Sequence, residues 1–137
     1  MRVCADTNVL VSALVTRGLC RDLIRTVIRQ HQLVVGEVVL GELQKVLRLK
    51  FRHSAAMVHE RDEYFRRHAE VFAGGPAVHL AIRDATDLPV ISEALAGASD
   101  ILVTGDADLL SIAAKSPIKI VSPRDCWLLL RGVQSAV

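Results

Sequence analysis

The chain contains few of the residues that support several common modes of binding and anchoring. Only 4% of its 137 residues are aromatic, so base-stacking platforms of the kind that single-strand binders use are not evident. No apolar stretch is long enough to span a bilayer. Asp6 and Asn8 interrupt the apolar start and no cleavage pattern follows, which excludes a secretion signal. The three cysteines, Cys4, Cys20 and Cys126, form neither an even set nor a metal-binding spacing, so we expect a reducing, cytoplasmic location.

The apolar content is high, and charge is distributed unevenly along the chain. A hydrophobic fraction of 51% predicts a sheet that is covered on both faces and leaves apolar surface for a homodimer interface. The net charge is only +2, but residues 17–68 hold eleven Lys/Arg against six Asp/Glu, whereas residues 69–137 hold five against eight. This division suits an anionic polymer held beside a cation site, although ordinary solvated helices explain it as well. The length predicts one domain, residues 1–137.

Apolar runs alternate with helical periods, which predicts an α/β fold with a mainly parallel sheet and crossover helices. Strands are expected at residues 2–5, 33–35, 77–82, 101–104 and 119–121. Helices are expected at residues 9–15, 19–30, 37–49, 87–96, from the Ser54 cap to about Phe72, and from residues 107 and 123 onward.

Acidic residues recur where this fold would bring them together. Asp6 closes the first strand, Asp106 closes the strand that ends at Thr104-Gly105, and Asp87 opens a helix. Ligands of open α/β sheets bind beyond the carboxyl ends of the strands. Carboxylates crowded there repel one another unless a cation neutralises them. Hard oxygen ligands suit Mg²⁺ or Mn²⁺, so we expect a metal-dependent hydrolase that acts on a phosphodiester.

Glu42 is a further candidate because apolar residues surround it on its predicted helix. The apolar stripe of that helix consists of Val38, Val39, Leu43, Val46 and Leu47. Glu42 lies at helical spacing from Val38, Val39 and Val46, so its carboxylate should point at a cationic group. A boundary residue paired with Lys45 or an arginine is the alternative.

Several assignments within this acidic set stay open. Asp84 lies three residues before Asp87 and could exchange roles with it, and Asp108 could be a second or alternative ligand beside Asp106. Asp6 and Asp106 could instead cap the helices that follow them.

Three polar neighbours have weaker signals. Asn8 could orient Asp6 or a metal-bound water, or it could be the helix cap. Thr104 could hydrogen-bond a carboxylate or a phosphate. Glu93 falls on the polar face of the helix that begins at Asp87, so we expect it to be solvated.

These motifs, taken in order, resemble those of the PIN-domain nucleases, particularly the small bacterial and archaeal VapC-like toxins of toxin–antitoxin pairs. The resemblance spans roughly residues 2–126. The matching stretches are Ala5–Leu14, Glu42-Leu43 within its helix, Asp84–Ile91 and Leu102–Leu110.

The resemblance implies a three-layer α/β/α sandwich and Mg²⁺- or Mn²⁺-dependent cleavage of single-stranded RNA. It assigns the catalytic and metal-binding quartet to Asp6, Glu42, Asp87 and Asp106. It also implies a homodimer and, if the protein is a toxin, a cognate antitoxin. One departure is Gly36, where a Ser or Thr often caps the Glu42 helix; Gly is a tolerable cap.

Basic residues on two segments are candidates to bind the RNA backbone. They are Arg21, Arg25 and Arg29 on one helix face, and the cluster Arg48, Lys50 and Arg52. Such contacts would position RNA without reading its sequence.

Two other functions compete with the nuclease. A phosphatase of the haloacid-dehalogenase type needs a second Asp two residues after Asp6, and this chain has Asn8 there. A non-catalytic module whose acids bind a basic partner is the other alternative.

Overall fold

Five parallel strands form the central sheet of the computed structural model, which describes residues 1–132. They are β1 Arg2–Ala5, β2 Gln32–Gly36, β3 Ala69–Phe72, β4 Ile101–Val103 and β5 Lys119–Val121. Their order across the sheet is β3-β2-β1-β4-β5, and every neighbouring pair is parallel. The predicted α/β class with a parallel sheet is therefore confirmed.

Helices flank the sheet and complete the predicted three-layer α/β/α arrangement. Their bounds are α1 Thr7–Val15, α2 Leu19–Gln30, α3 Glu37–Leu49, α4 Ala55–His68, α5 Leu88–Ala96, α6 Ala107–Ser111 and α7 Pro123–Leu130. The side chains of Asp6, Ser54 and Ser122 accept backbone N–H groups in the first turns of α1, α4 and α7. Because Asp6 is the cap, α1 begins at Thr7, two residues before the predicted start. No helix within residues 1–132 combines the length and the apolarity needed to cross a bilayer.

Strand β1 lies at the centre of the sheet and is enclosed by helices. Val3, Cys4 and Ala5 are all at most 1% exposed, as expected when both faces of a parallel strand are covered. Helix α2 buries Leu23 and Ile24 against the same core. The interior is mainly aliphatic, in keeping with the aromatic content of only 4%.

The strand order reverses between β1 and β4, which creates a crevice at one edge of the sheet. The chain runs outward from β1 through β2 to β3, and then returns to place β4 on the other side of β1. Asp6 directly follows β1, and Asp106 follows β4 by three residues. Their two strands are paired in register, with Ala5 opposite Val103. The reversal therefore places both acids at the position where open α/β sheets bind ligands.

The third strand was predicted in the wrong segment. Helix α4 ends at His68 rather than near Phe72, and residues 69–72 pair with β2 as an edge strand. Glu70 on this strand receives a 2.6 Å hydrogen bond from Arg2, so the strand has a charged, partly exposed face without a long apolar run. Residues 77–82 form no strand, although Val78, Leu80 and Ile82 pack on the core. Every second side chain of this segment packs on the core although its backbone pairs with no strand. This produces the alternation of apolar and other residues that predicted a strand there.

Candidate active site

One cavity of about 490 Å³ lies beyond the carboxyl ends of β1 and β4 and contains the predicted acids. Its acidic lining consists of Asp6, Glu42, Asp87 and Asp106. Polar and basic groups also line it, among them Thr7, Asn8, Ser12 and Lys50. Residues that are up to 100 positions apart in the chain thus share a single depression.

Asp6 is fixed by a complete set of donors. It is 5% exposed; its Oδ1 accepts the Thr7 N–H at 2.8 Å, and its Oδ2 accepts the Thr104 hydroxyl at 2.8 Å and the Asn8 amide at 3.1 Å. Asp6 therefore caps α1 and lines the cavity at the same time, so both predicted roles are compatible. Burial raises the pKa of Asp6, these hydrogen bonds oppose the rise, and the charge of Glu42 adds to it.

Asn8 and Thr104 join the two loops that carry Asp6 and Asp106. The Asn8 Oδ1 accepts the Gly105 N–H at 2.8 Å while its amide donates to Asp6. The Thr104 hydroxyl donates to Asp6 and accepts the Asp106 N–H at 3.0 Å. A side chain on Gly105 would approach Asn8 Oδ1 to 3.2 Å, so this crossing is close. Both residues therefore hold acids of the cavity in position.

Glu42 lies at the rim of the cavity rather than inside the apolar stripe. Its carboxylate is exposed, and its Oε2 accepts the Thr7 hydroxyl at 2.8 Å. The prediction that Val38 belongs to the buried stripe is wrong, because Val38 is 41% exposed. The residues of α3 that are buried are Val39, Leu40, Leu43 and Leu47. The helix is rotated slightly from the predicted orientation, which brings Glu42 to the boundary between core and solvent.

Thr7 positions two acids of the cavity, a role that was not predicted from the sequence. Its N–H donates to Asp6 and its hydroxyl donates to Glu42, so one residue connects acids from two helices. Its position directly after the strand-end Asp was the available signal, since the first residue of a capped helix is held rigidly.

Asp87 is the least satisfied acid in the cavity. Its Oδ2 is buried and has no hydrogen-bond partner within residues 1–132. Burial raises the pKa of Asp87 to about 7, and the negative charges of Asp106, Asp84 and Asp6 add to the rise. A buried carboxylate oxygen with no donor, facing other carboxylates, lacks the compensation that buried charge requires. A cation is the simplest group that would supply it.

Asp108 joins Asp87 and Asp106 in the tightest acidic group. One carboxylate oxygen from each residue lies within 4.8 Å of the other two. The Asp106 Oδ1 also accepts the Asp108 N–H at 2.9 Å, which caps α6. Three hard oxygen donors at this separation fit a Mg²⁺ or Mn²⁺ ion. Asp108 is thus placed as closely to the possible ion as two members of the predicted quartet.

Asp84, the predicted alternative to Asp87, has a local structural role. It is exposed, and its Oδ1 accepts the Thr86 N–H at 3.0 Å and the Thr86 hydroxyl at 2.6 Å. These bonds lower the pKa of Asp84 and stabilise the short 3₁₀ turn Ala85–Asp87. The geometry therefore distinguishes the two acids: Asp84 holds the turn, and Asp87 faces the cavity.

The basic residues predicted to bind RNA are distributed over separate surfaces. Lys50 lines the acidic cavity. Arg21 and Arg25 line a second cavity of about 300 Å³, which they share with Arg61 and Tyr64. Arg21 is partly committed to the fold, because its guanidinium donates to the carbonyls of Ala13 and Leu14 at the end of α1.

The remaining three predicted basic residues lie on three different segments: Arg29 near the end of α2, Arg48 on α3 and Arg52 after α3. Arg48 lines a third depression together with Asp62. Arg29 and Arg52 are exposed to solvent. The six residues thus do not form one continuous cluster around the acids.

The prediction that Glu93 is solvated is wrong. It is 3% exposed, and its Oε1 and Oε2 accept the N–H groups of Val38 at 2.9 Å and Gly74 at 3.3 Å. Burial raises the pKa of Glu93, and these two hydrogen bonds oppose the rise. Helix α5 packs against α3 as well as against the sheet, so its polar face is covered by another element.

Fold and site together describe an α/β domain with an acidic, cation-compatible cavity at the switch point of a parallel sheet. A sequence model of the PIN domain matches residues 2–108. The chain belongs to the PIN-domain family, whose members are typically metal-dependent nucleases. No curated protein matches the chain significantly by sequence.

Solved structures with the same fold come from bacteria and archaea. A chain of VapBC2 from Rickettsia felis, bound to a DNA fragment from its promoter, has a TM-score of 0.63 at 15% identity, covering 89% of this chain and 98% of that one. A PilT N-terminus domain protein from Sulfolobus solfataricus P2 has a TM-score of 0.58 at 10% identity, covering 100% and 98%. A domain of unknown function from Methanocaldococcus jannaschii has a TM-score of 0.54 at 19% identity, covering 88% and 89%. At these identities the similarity establishes the fold.

Proposed function

We propose that this protein is a Mg²⁺- or Mn²⁺-dependent endoribonuclease that cleaves single-stranded RNA, and that it acts as the toxin of a toxin–antitoxin pair in the cytoplasm. Asp6, Glu42, Asp87 and Asp106 are the proposed metal-binding and catalytic residues. Family membership supports the nuclease class, and the acidic cavity supports the metal dependence.

The observation that carries the proposal is the buried Oδ2 of Asp87, which has no hydrogen-bond partner among residues 1–132. One carboxylate oxygen of Asp87 lies within 4.8 Å of carboxylate oxygens of Asp106 and Asp108, and burial together with the neighbouring charges raises the pKa of Asp87 to about 7. Repulsion of this size is costly to maintain in a fold without a compensating ligand. A bound divalent cation would attract these carboxylates and so offset their mutual repulsion, and it would displace the proton that Asp87 retains near neutral pH.

The chain's own residues divide the proposed work between them. Asp87, Asp106 and Asp108 would hold the cation. Asp6, both of whose carboxylate oxygens accept hydrogen bonds, would fix the position of the cation from the β1 side. Glu42, oriented by the Thr7 hydroxyl, is the acid at the solvent rim; it would complete the cation site and orient the attacking water. A bound Mg²⁺ or Mn²⁺ would lower the pKa of that water and neutralise charge on the scissile phosphate.

The Lys50 ammonium lies on the same cavity and would attract the phosphate backbone of RNA. Aromatic stacking residues are scarce in this chain. We therefore expect binding to depend on charge, with Arg25 as a second contact on the separate surface of α2. The partner roles of Arg21, Arg29, Arg48 and Arg52 remain predictions.

A cognate antitoxin and a homodimer are the proposed protein partners. The Rickettsia felis protein of the same fold is a VapBC complex on its promoter DNA, which supports an antitoxin for this chain. A homodimer would cover some of the exposed apolar side chains, among them Leu49 at 63% and Met57 at 40% exposure.

The experiment that tests the proposal uses labelled single-stranded RNA, purified protein and Mn²⁺ or Mg²⁺. Asp87→Asn should abolish cleavage, and EDTA should do the same. Asp84→Asn is the matched control, because it makes the same substitution three residues away at an exposed, locally bonded site, and it should retain most of the activity. Equal loss in both variants would contradict the assignment of Asp87.

A non-catalytic binding module is the competing function. It predicts that the protein binds Mn²⁺ weakly in calorimetry and cleaves neither RNA nor DNA in either metal. A haloacid-dehalogenase phosphatase is less well supported, because the residue two positions after Asp6 is Asn8, whose amide donates to that carboxylate.

A further inference from the structure

Helix α3, which carries Glu42, has no capping side chain of its own. Its N-cap residue is Gly36, which makes no side-chain hydrogen bond to the first turn. The first N–H groups of a helix have no partner within the helix, so a buried helix start needs an acceptor from elsewhere. Gly36 is itself buried and has no side chain that could fill that role.

Glu93 supplies that acceptor from helix α5. Its Oε1 accepts the Val38 N–H, in the first turn of α3, at 2.9 Å. Its Oε2 accepts the Gly74 N–H at 3.3 Å, which ties the segment after β3 to the same carboxylate. The negative charge also lies at the positive end of the α3 dipole. A single buried carboxylate thus fastens three parts of the chain.

The Glu93 carboxylate occupies the space that a side chain at position 36 would need. A Cβ atom built on Gly36 would overlap Glu93 Oε1 and would lie 2.8 Å from Glu93 Cβ. The backbone of Gly36, with φ −85° and ψ 153°, has the extended conformation of Ser54 and Ser122, whose hydroxyls cap α4 and α7. The backbone at position 36 therefore suits a capping serine, but the Glu93 side chain occupies the space that the serine side chain would need.

We propose that Glu93 is a positioning residue: it caps α3 from α5 and thereby fixes Glu42 relative to Asp87, the acid that precedes α5. The inference rests on the proposed function for its catalytic meaning, because Glu42 and Asp87 line the same cavity. The capping contact between Glu93 and α3 does not itself depend on any substrate. A serine at position 36 and a glutamate at position 93 could each cap the start of α3, but there is no space for both side chains.

The test is a double-substitution cycle on Gly36 and Glu93. Glu93→Ala should remove the cap, and Gly36→Ser alone should clash with the carboxylate; each should lower the Tm by roughly 3–8 °C. The double variant should recover most of the loss, because the serine hydroxyl can then cap α3. Glu63→Ala, at an exposed position on α4, is the control and should leave the Tm unchanged.

Calorimetric titration of Mn²⁺ adds a readout of the cavity itself. Glu93→Ala should weaken Mn²⁺ binding by roughly tenfold, as is typical when support for a metal ligand is removed, and Gly36→Ser/Glu93→Ala should restore it. Should Glu93→Ala fail to fold, Glu93→Gln, which keeps one acceptor oxygen, serves in its place. Additive losses in the double variant would overturn the proposal, as would an unchanged Tm and Mn²⁺ affinity in Glu93→Ala.

Failure of the proposed function gives a different pattern from failure of the cap. If wild-type protein cleaves no RNA but the double variant restores the Tm and Mn²⁺ affinity, the positioning role stands and the RNA substrate is wrong. If wild-type protein cleaves RNA but the two substitutions add, the nuclease stands and the positioning role is wrong.

Discussion

Replacing Asp87 by Asn should stabilise the metal-free protein, although it removes a charged group from the interior. The pKa of Asp87 is about 7 against an ordinary value of 3.8, because of burial and neighbouring carboxylates. A rise of this size corresponds to roughly 4 kcal/mol when the carboxyl is ionised in both states. The group is partly solvated, so we expect a gain of about 1–2 kcal/mol at pH 8.

The size of the stabilisation by Asp87→Asn depends on pH. Because the folded-state pKa is raised, the folded protein binds more protons than the unfolded chain between about pH 4 and pH 7. Stability is therefore present at low pH and is lost as the pH rises through about 7. The stabilising effect of Asp87→Asn should be large at pH 8 and nearly absent at pH 4.

Asp87 is better suited to this experiment than Asp6. The buried Oδ2 of Asp87 has no donor to lose within the described residues. Both oxygens of Asp6 accept hydrogen bonds, so an amide there would oppose the Asn8 and Thr104 donors. Only at Asp87 does the substitution report mainly on charge.

The assay is urea unfolding in EDTA at pH 4 and pH 8, followed by circular dichroism, with Asp84→Asn as the control. Asp84 has a lowered pKa and donors to lose, so its substitution should not stabilise the protein at pH 8. Addition of Mn²⁺ should stabilise the wild type and leave Asp87→Asn nearly unaffected. An Asp87→Asn variant that is less stable than wild type in EDTA at pH 8 would refute the account of the cavity as a repulsive acidic cluster.

Three further predictions concern the surroundings of the cavity. Thr7→Val should reduce cleavage roughly tenfold and keep the Tm within a few degrees, because it removes the hydroxyl that orients Glu42. Steady-state kinetics and thermal melting measure the two effects, and unchanged kinetics would contradict this role of Thr7. Arg25→Ala should weaken RNA binding and flatten its dependence on salt, whereas unchanged binding would place the RNA path elsewhere. Gel filtration at micromolar concentration should give a dimer, and a strict monomer would contradict the homodimer.

The sequence was informative where local chemistry and position coincide. Asp6 and Asp106 follow buried strands, and the two ends of adjacent parallel strands must lie together, so their meeting could be predicted. Asp87 could be preferred over Asp84 by its place at a helix start. Glu42 was identified by helical spacing, although the stripe was displaced by about one residue.

The contacts that could not be predicted are those between elements distant in the sequence. Glu93 looks solvated on its own helix, and only the packing of α5 against α3 shows that its carboxylate caps the start of α3. Strand β3 is an edge strand whose charge obscured it, while residues 77–82 mimic a strand through half-burial. The separation of Arg25 from Lys50 likewise depends on how α2 and α3 are arranged in space.

The pairing of β1 with β4 has a consequence for the order of events during synthesis. The partners Val3 and Ile101 are separated by most of the chain, so the central strand waits for one neighbour until the ribosome has released residues 101–103. Asp106 and Asp108 are translated later still, and they are two of the three acids of the tightest carboxylate group. A nascent chain would therefore carry its first three acids without a complete cation cage. For an enzyme proposed to cut RNA, this delay would protect the message from which it is being made.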